Sequence, residues 1–499
     1  MRKRGSITVF AALSIMLISQ LLFTLFEAAR HREYEKILQM NSDSVLESIF
    51  ADYCSPLWDT YHLLGFTAAD SRGAFSFNNC EAQLRNLTGD NLGSKGRIAL
   101  FPGVSLLCAA MTDGEFSSYT LMTDQGGRVF ATAVCEYMKQ NIGYETAKSV
   151  YSDYEAAKKV TKKYGDSDES IDDVLQELNR KGKSRKGTAQ SSKEEAQQTE
   201  DENVLTVVSE AKKDGVLSQV LPDSAKVSGK ALNLSRAVSH RILEKGTANV
   251  TETGGWYDKV LLNQYFVSYL TCYTNAKGNR GLDYELEYLI AGKSKDSENL
   301  RVVVGELLAM REASNMATLM ASPEKQAEAL AMATAIAAAS LNPVVIEVVK
   351  YAILAAWAYA ESVLDVRTLL SGGKIAFIKS DFDWTSNLSS LGELLSGWSK
   401  AKNCAHGLSY QEFLALLLLT HGESQLSMRA MDVEEAAVRL TEGYELFRMD
   451  HVVCQTKMQA TYEYRTVALG FVTLLEKKCD NFRIQTKAEY SYLTGKEGI

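Results

Sequence analysis

Residues 7–26 contain no charged side chain, and that run constrains the chain more than any other stretch. As an α-helix these twenty residues would extend about 30 Å, the depth of a bilayer's hydrocarbon core. Arg2, Lys3 and Arg4 stand directly before the run, and Glu27, Arg30, Arg32 and Lys36 follow it. The excess of positive charge on the amino-terminal side predicts a cytoplasmic N-terminus and an extracytoplasmic body. A cleaved signal peptide has a shorter apolar region, about 7–15 residues. The small pair Ala28-Ala29 keeps cleavage as an alternative. Ile7, Phe10, Leu17 and Phe26 mark the length of the anchor, and its partner is the lipid bilayer.

The helical pattern continues past the membrane surface. Apolar residues recur at Tyr34, Ile37, Leu38, Val45, Leu46, Ile49, Phe50 and Tyr53, spaced three and four apart as on one helix face. Asp43 and Glu47 fall elsewhere, and Pro56 marks the expected end. One helix therefore runs from lipid into the body. The sequence predicts a helix-rich α+β protein: a single transmembrane helix continuing into an extracytoplasmic helix, with amphipathic antiparallel strands. The expected organisation is a basic leader (1–6), the span (7–26), a first α/β part (27–179), a disordered linker (180–203) and a helix-rich α+β domain (204–499). In the linker, Ala189 and Ala196 are the only hydrophobic residues, too few to offset chain entropy.

Within these parts the clearest strands are the last two. Residues 452–464 and 482–492 each alternate apolar with polar side chains, as half-buried strands do. They are expected to pair antiparallel, with the long helix covering their dry face. Residues 73–80, 115–123 and 281–292 also read as strands, 131–163 and 300–320 as helices, and 204–246 as amphipathic helices. Residues 329–346 lack charge. Their Ala-rich composition and Pro343 favour two buried core helices over a second span, which would make a two-span protein.

Chemistry is sparse. A net charge of -8 argues against a nucleic-acid partner. The eight cysteines form no C-x-x-C pair and the six histidines no metal spacing. Buried thiols are favoured over disulfides for the cysteines. Asp166, Asp168, Ser170, Asp172 and Glu177 approach a calcium-loop spacing, but Ile171 stands where glycine is needed. Cys404 with His406, the pair Asp381 and Asp383, and the S-x-x-K element from Ser322 to Lys325 are the remaining candidates. The first two could serve a surface enzyme or ligand receptor; the third reads as a helix start. No catalytic, cofactor or metal site is assigned.

The start GSITVF, the apolar helix and EAAR resemble an uncharacterised family of membrane-anchored proteins from Gram-positive bacteria. LDYELEYLIAGKSKDSENL, WAYAESVLDVRTLLSGGK, LSYQEFLALLLL and FRMDH carry the same resemblance. The N-terminus in turn looks like the pseudopilins of tight-adherence (Tad) pilus systems. That resemblance implies a prepilin peptidase cutting between Gly5 and Ser6, and a non-enzymatic component of a Tad-type pilus or secretion system. The fifth residue after the cut is Phe10, where pseudopilins carry glutamate. This departure argues against polymerisation and leaves a minor, priming or accessory subunit.

Overall fold

A computed structural model describes residues 3–92, 109–164, 204–213, 215–222, 224–247, 255–337, 342–465 and 481–493. The strands are β1 (Phe66–Thr67), β2 (Ala109–Leu121), β3 (Lys374–Ile375), β4 (Leu408–Ser409), β5 (Val452–Arg465) and β6 (Asn481–Ser491). The helices are α1 (Lys3–Ala51), α2 (Ser55–Tyr61), α3 (Asn78–Asn91), α4 (Asp124–Lys139), α5 (Tyr144–Tyr164), α6 (Val204–Lys213), α7 (Val216–Val220), α8 (Trp256–Tyr269), α9 (Glu285–Ala291), α10 (Asp296–Ala321), α11 (Pro323–Ala337), α12 (Pro343–Leu370), α13 (Leu391–Ser396), α14 (Tyr410–Leu418) and α15 (Glu423–Val438). The fold is thus helix-rich with antiparallel strands. It divides into two compact units: Met1–Glu136, Ile242–Thr253 and Thr441–Ile499 form the first, Tyr137–Arg241 and Gly254–Leu440 the second.

In the first unit β5 is central. It pairs antiparallel with β2 from Ala109↔Tyr464 to Leu121↔Val453, with β6 from Arg465↔Asn481 to Gln455↔Ser491, and with β1 at Val452 and Val453. Strands from both sides of 180–203 therefore share one sheet. The alternation read in the sequence holds: Cys454, Thr456, Met458, Ala460, Tyr462 and Tyr464 are buried, while Lys457 and Gln459 are exposed. The expected strand at 115–123 is the end of β2. Residues 73–80 do not form one. Phe75 makes an isolated bridge to Ala69, and α3 begins at Asn78.

The 49-residue α1 lays its second half on this sheet, as its periodicity predicts. Leu38, Val45, Leu46, Ile49 and Phe50 are buried with Met458, Ala460, Tyr462, Ile484 and Ala488. Asp43 and Glu47 face outward. Ile37 and Tyr53 are also exposed, because the covered stripe advances through 34, 38, 42, 45 and 49 and leaves them at its border. Hydroxyls fix the seam: Ser42 Oγ lies 2.9 Å from Tyr462 Oη and 2.6 Å from Thr486 Oγ1, and Asn41 Nδ2 donates to Tyr462 Oη at 3.1 Å. The helix ends at Ala51, before Pro56, which sits in the first turn of α2. There its missing N–H costs nothing.

Among the described residues of the second unit, the named strands are the two-stranded β3–β4 ribbon and the rest of the regular structure is helical. Its centre is α12, buried almost without break from Ala352 to Leu370, with α10 and α11 packed on it. Of the uncharged stretch 329–346, residues 329–337 lie in α11 and 343–346 in α12. Asn342 caps α12 by accepting from Val344 N at 3.0 Å, and Pro343 starts it. The Pro343–Leu370 helix is long and apolar enough to cross a membrane, yet 56% of its most apolar window is buried here. Within the stretch itself the buried-helix expectation fails: α11 buries only Ala329, Ala333 and Ala337, and Pro343–Ile346 of α12 are exposed or half-buried, because the buried face of α12 begins beyond them at Val349. Beyond α7, residues 224–247 hold no α-helix, so the helical expectation for 204–246 stops at Val220. The calcium-like spacing, the linker, Cys108 and Cys479 lie outside the described residues.

Residues 281–292 are the plainest correction. They contain the helix α9, not a strand. Alternation of Leu282, Tyr284, Leu286, Tyr288 and Ile290 with Asp283, Glu285 and Glu287 suits a half-buried strand, but Glu285 and Glu287 are fully buried along with Leu286, Tyr288 and Leu289. A helix buried all round needs no amphipathic period, and Gly292 closes it in the left-handed region (φ 65°). Glu285 accepts from Thr271 N at 2.9 Å; Glu287 accepts from Tyr273 N at 2.8 Å and Tyr410 Oη at 2.9 Å. Burial pushes both carboxyls up to about 7, and raises Glu434, which accepts from Tyr265 Oη, well above the usual range.

Two predictions follow from this packing. Phe50→Ala removes a buried ring from the α1 seam and should cost about 3–5 kcal/mol in the first unit's stability by chemical denaturation. For the second unit, Glu285 and Glu287 hold protons when folded that they release when unfolded, between the ordinary value of 4.5 and about 7. Their contribution is fully present below about pH 4.5 and is lost as pH rises through 7. The unit should therefore melt higher at pH 5 than at pH 8. Glu285→Gln with Glu287→Gln should flatten the difference, each carboxyl accounting for about 3 kcal/mol at most.

Candidate functional site

The first functional element is the exposed half of α1. Ile7 is 69%, Phe10 72%, Leu17 66% and Phe26 56% exposed, and the helix is long and apolar enough to span a membrane. So continuous an apolar surface is unstable in water, and a bilayer is the solvent that suits it. Gly5 and Ser6 lie in the first turns of the same helix. At Glu27 the surface changes character: Glu27 is buried and pairs with Arg30 at 3.3 Å, and Arg30 also donates to Tyr34 Oη at 2.8 Å.

The second element is a polar cleft of about 440 Å³ in the helical unit, where Glu324, Lys325, Asp381, Trp384, Asn387 and Lys402 are among the lining residues. Lys325, from the S-x-x-K element, is a helix-start residue of α11 as read. It also pairs with Asp381 and sits 5.3 Å from the centre of the Trp384 ring. These two candidates, 56 residues apart in the chain, were not connected by their sequence pattern. Behind the cleft lies a buried charge network. Arg311 donates to Asp365 at 3.0 Å and to Phe377 O at 2.7 Å. Lys379 pairs with Asp365 at 2.5 Å and with Glu361. Glu361 in turn accepts from Thr385 N at 3.1 Å and Ser386 N at 2.8 Å, fixing the wall of the cleft, and Trp357 Nε1 donates to Ser386 Oγ at 2.9 Å.

Sequence reasoning missed Arg311, Glu361, Asp365 and Lys379. The available signal was Glu361 and Asp365, one turn apart in an otherwise apolar segment, because buried carboxylates need cations. Asp383 accepts from Ser380 Oγ at 2.6 Å and Ser380 N at 3.1 Å, bonds that hold it below its ordinary range, with a smaller contribution from the charge of Lys379. The Cys404 thiol faces Asp383, and His406 is exposed with no hydrogen bond to Cys404. The two are not assembled as a nucleophile and base. Among the described residues no group of three or more His, Cys, Asp or Glu side chains could hold a metal ion. Cys54, Cys80, Cys272 and Cys454 are buried, and burial raises their thiols, to about 11 for the first three. These four are packing thiols, not reactive ones.

The network yields a double-mutant test. Lys379→Met leaves Glu361 buried without its cation and should cost about 3–5 kcal/mol in thermal or denaturant unfolding. Adding Glu361→Gln, which keeps the acceptor for Thr385 and Ser386, should recover part of that loss.

No curated protein matches the chain, and no solved structure does. Residues 194–464, more than half of the sequence, match the model of a family of unknown function, DUF5702, and the chain belongs to that family.

Proposed function

We propose that this protein is a membrane-anchored, non-enzymatic, pilin-like or accessory component of the cell envelope, assembled with pilus or secretion machinery of the Tad type. The observation that carries the reading is α1. Its first half is exposed and apolar, and its second half is packed on an antiparallel sheet without a break between them. An anchor that is also a structural helix of the body suits a subunit held in a membrane and drawn into an assembly. The basic residues Arg2, Lys3 and Arg4 favour a cytoplasmic N-terminus and an extracytoplasmic body. Gly5 and Ser6 form the processing site expected for a prepilin peptidase. Phe10, apolar where a polymerising pseudopilin carries an acid, favours a minor or priming role.

The cleft beside Lys325 and Asp381 supports a second reading, a cell-surface ligand receptor. On that reading Lys325→Ala with Asp381→Ala abolishes a surface-binding phenotype without lowering the melting temperature.

The N-terminal residue of protein purified from native membranes tests the first reading. A chain beginning at Ser6, crosslinking to pilus-machinery proteins, is the expected result. A chain that retains Met1 and crosslinks to none of them would refute it.

A further inference from the structure

The body of the first unit begins where the apolar run ends. Phe26, the last residue of that run, is exposed, and Glu27 directly after it is buried. Burial, and then the nearby charge of Glu27, raise the Tyr464 phenol, so β5 reaches α1 within the first turn past the run. The end of the sheet at this level is a single row. Ala109 of β2 pairs with Tyr464 of β5, and Tyr464 with Phe482 of β6. His31 packs against the row, its ring centre 6.0 Å from that of Tyr464 and 6.2 Å from that of Phe482. His31 is five residues beyond Phe26, about 7–8 Å along the helix axis, and helical side chains lean back toward the N-terminus. The headgroup layer of a bilayer is about 5–8 Å deep on each side. With 7–26 in the hydrocarbon, the rings of His31 and Phe482 stand at headgroup depth.

The chemistry of the row suits that layer. Phe482 is 40% exposed and stacks on Tyr464 at 5.7 Å, and Tyr464 Oη lies 2.5 Å from His31 Nδ1. Aromatic rings, several with polar tips, collect at this depth in membrane proteins. Nearer the hydrocarbon, Glu27 and Arg30 pair at 3.3 Å, and Arg30 donates to Tyr34 Oη at 2.8 Å. Lone charges at the hydrocarbon edge would be costly, whereas a pair that is also hydrogen-bonded is tolerated there. The apolar surface of α1 thus passes onto β6 through Phe482, with its only intervening charges neutralised against the body.

We propose that the first unit is seated directly on the bilayer, with the Tyr464–Phe482 end of its sheet in the headgroup layer and the Phe482 ring against lipid. The proposal rests on 7–26 spanning the bilayer. It adds a second lipid contact, made by the body, to the one made by the anchor. On this reading α1 is not a stalk that holds the body clear of the membrane, and the sheet stands with its strands rising from the lipid surface.

The test is photo-crosslinking of the full chain in nanodiscs of phosphatidylethanolamine and phosphatidylglycerol, with p-benzoylphenylalanine replacing Phe482, Leu17 or Met40 in turn and adducts read by intact mass. Met40 is exposed on α1 and stands about 21 Å beyond Phe26, above the headgroups. Lipid adducts are expected at 17 and 482, and about tenfold less at 40. Seven polar residues inserted between Phe26 and Glu27 add about two turns and lift the body roughly 10 Å without turning it far. They should abolish the adduct at 482 and leave that at 17. An adduct at 17 with none at 482, equal adducts at 482 and 40, crosslinking of 482 to a second copy, or an adduct at 482 that survives the insertion would overturn the seat. Absence of lipid adducts at 17 as well would refute the span itself.

Discussion

Every other strand of the large sheet hydrogen-bonds to β5. β2 lies along one of its edges, β6 along the other, and β1 at its start. Because β1 and β2 precede β5 by more than 300 residues, the first unit is closed by non-local pairings, whose loop-closure entropy must be met before their contacts count. What meets it is the apolar face beneath α1. Met458, Ala460 and Tyr462 of β5 and Ile484 and Ala488 of β6 are buried only when that helix is in place. Each of these side chains would otherwise expose surface worth about 25 cal/mol per Å². Sheet and stem are thus one cooperative object.

The helical unit is organised on a different principle. Its core helices carry ionisable groups where apolar residues would pack as well. Arg311 and Lys379 are balanced by Asp365 and Glu361, whereas Glu287 and Glu434 are held by backbone N–H groups and tyrosine hydroxyls, and Glu285 by Thr271 N with Arg280 3.8 Å away. Two matched charges in a dry interior offset much of each other's desolvation, but a carboxyl held by neutral donors does so only by keeping its proton. Both sets bind segments far apart in sequence: Glu361 of α12 holds the 384–386 turn, and Glu287 of α9 joins the chain at Tyr273 to Tyr410 of α14. They specify which loops meet as well as how tightly.

Much of this was legible in the sequence where one face of an element is wet. The α1 stripe, β5 and β6 each alternate between water and core, so their periods are written in the residues. Legibility failed where that contrast disappears. Around Leu282–Ile290, Glu285 and Glu287 alternate with apolar residues yet both face protein, so polarity no longer reports exposure. The cleft was half legible. Lys325 and Asp381 stood out separately as a helix start and a carboxylate pair, but nothing local relates positions on α11 to the loop after β3. Their meeting depends on how α10 and α12 pack, which is a property of the whole unit. Cys404 and His406 show the converse: closeness in sequence brought them into one loop without bringing their side chains together.

The continuity of α1 has a mechanical consequence. Between Ser6 and Ala51 there is neither glycine nor proline, the usual origins of a sharp bend, so the helix is a stiff rod about 70 Å long. Beyond its exposed apolar half it runs alongside β6 in the same direction: Tyr34 meets Tyr464 beside Phe482, Ser42 meets Thr486, and Phe50 meets Tyr490. A pull along the anchor therefore loads this seam, and the β5–β6 ladder behind it, in shear. Bonds loaded in shear share the force and yield together, unlike those of a peeled edge, which fail one at a time. A body fixed to its stem in this way can be dragged by its anchor without being unzipped from it.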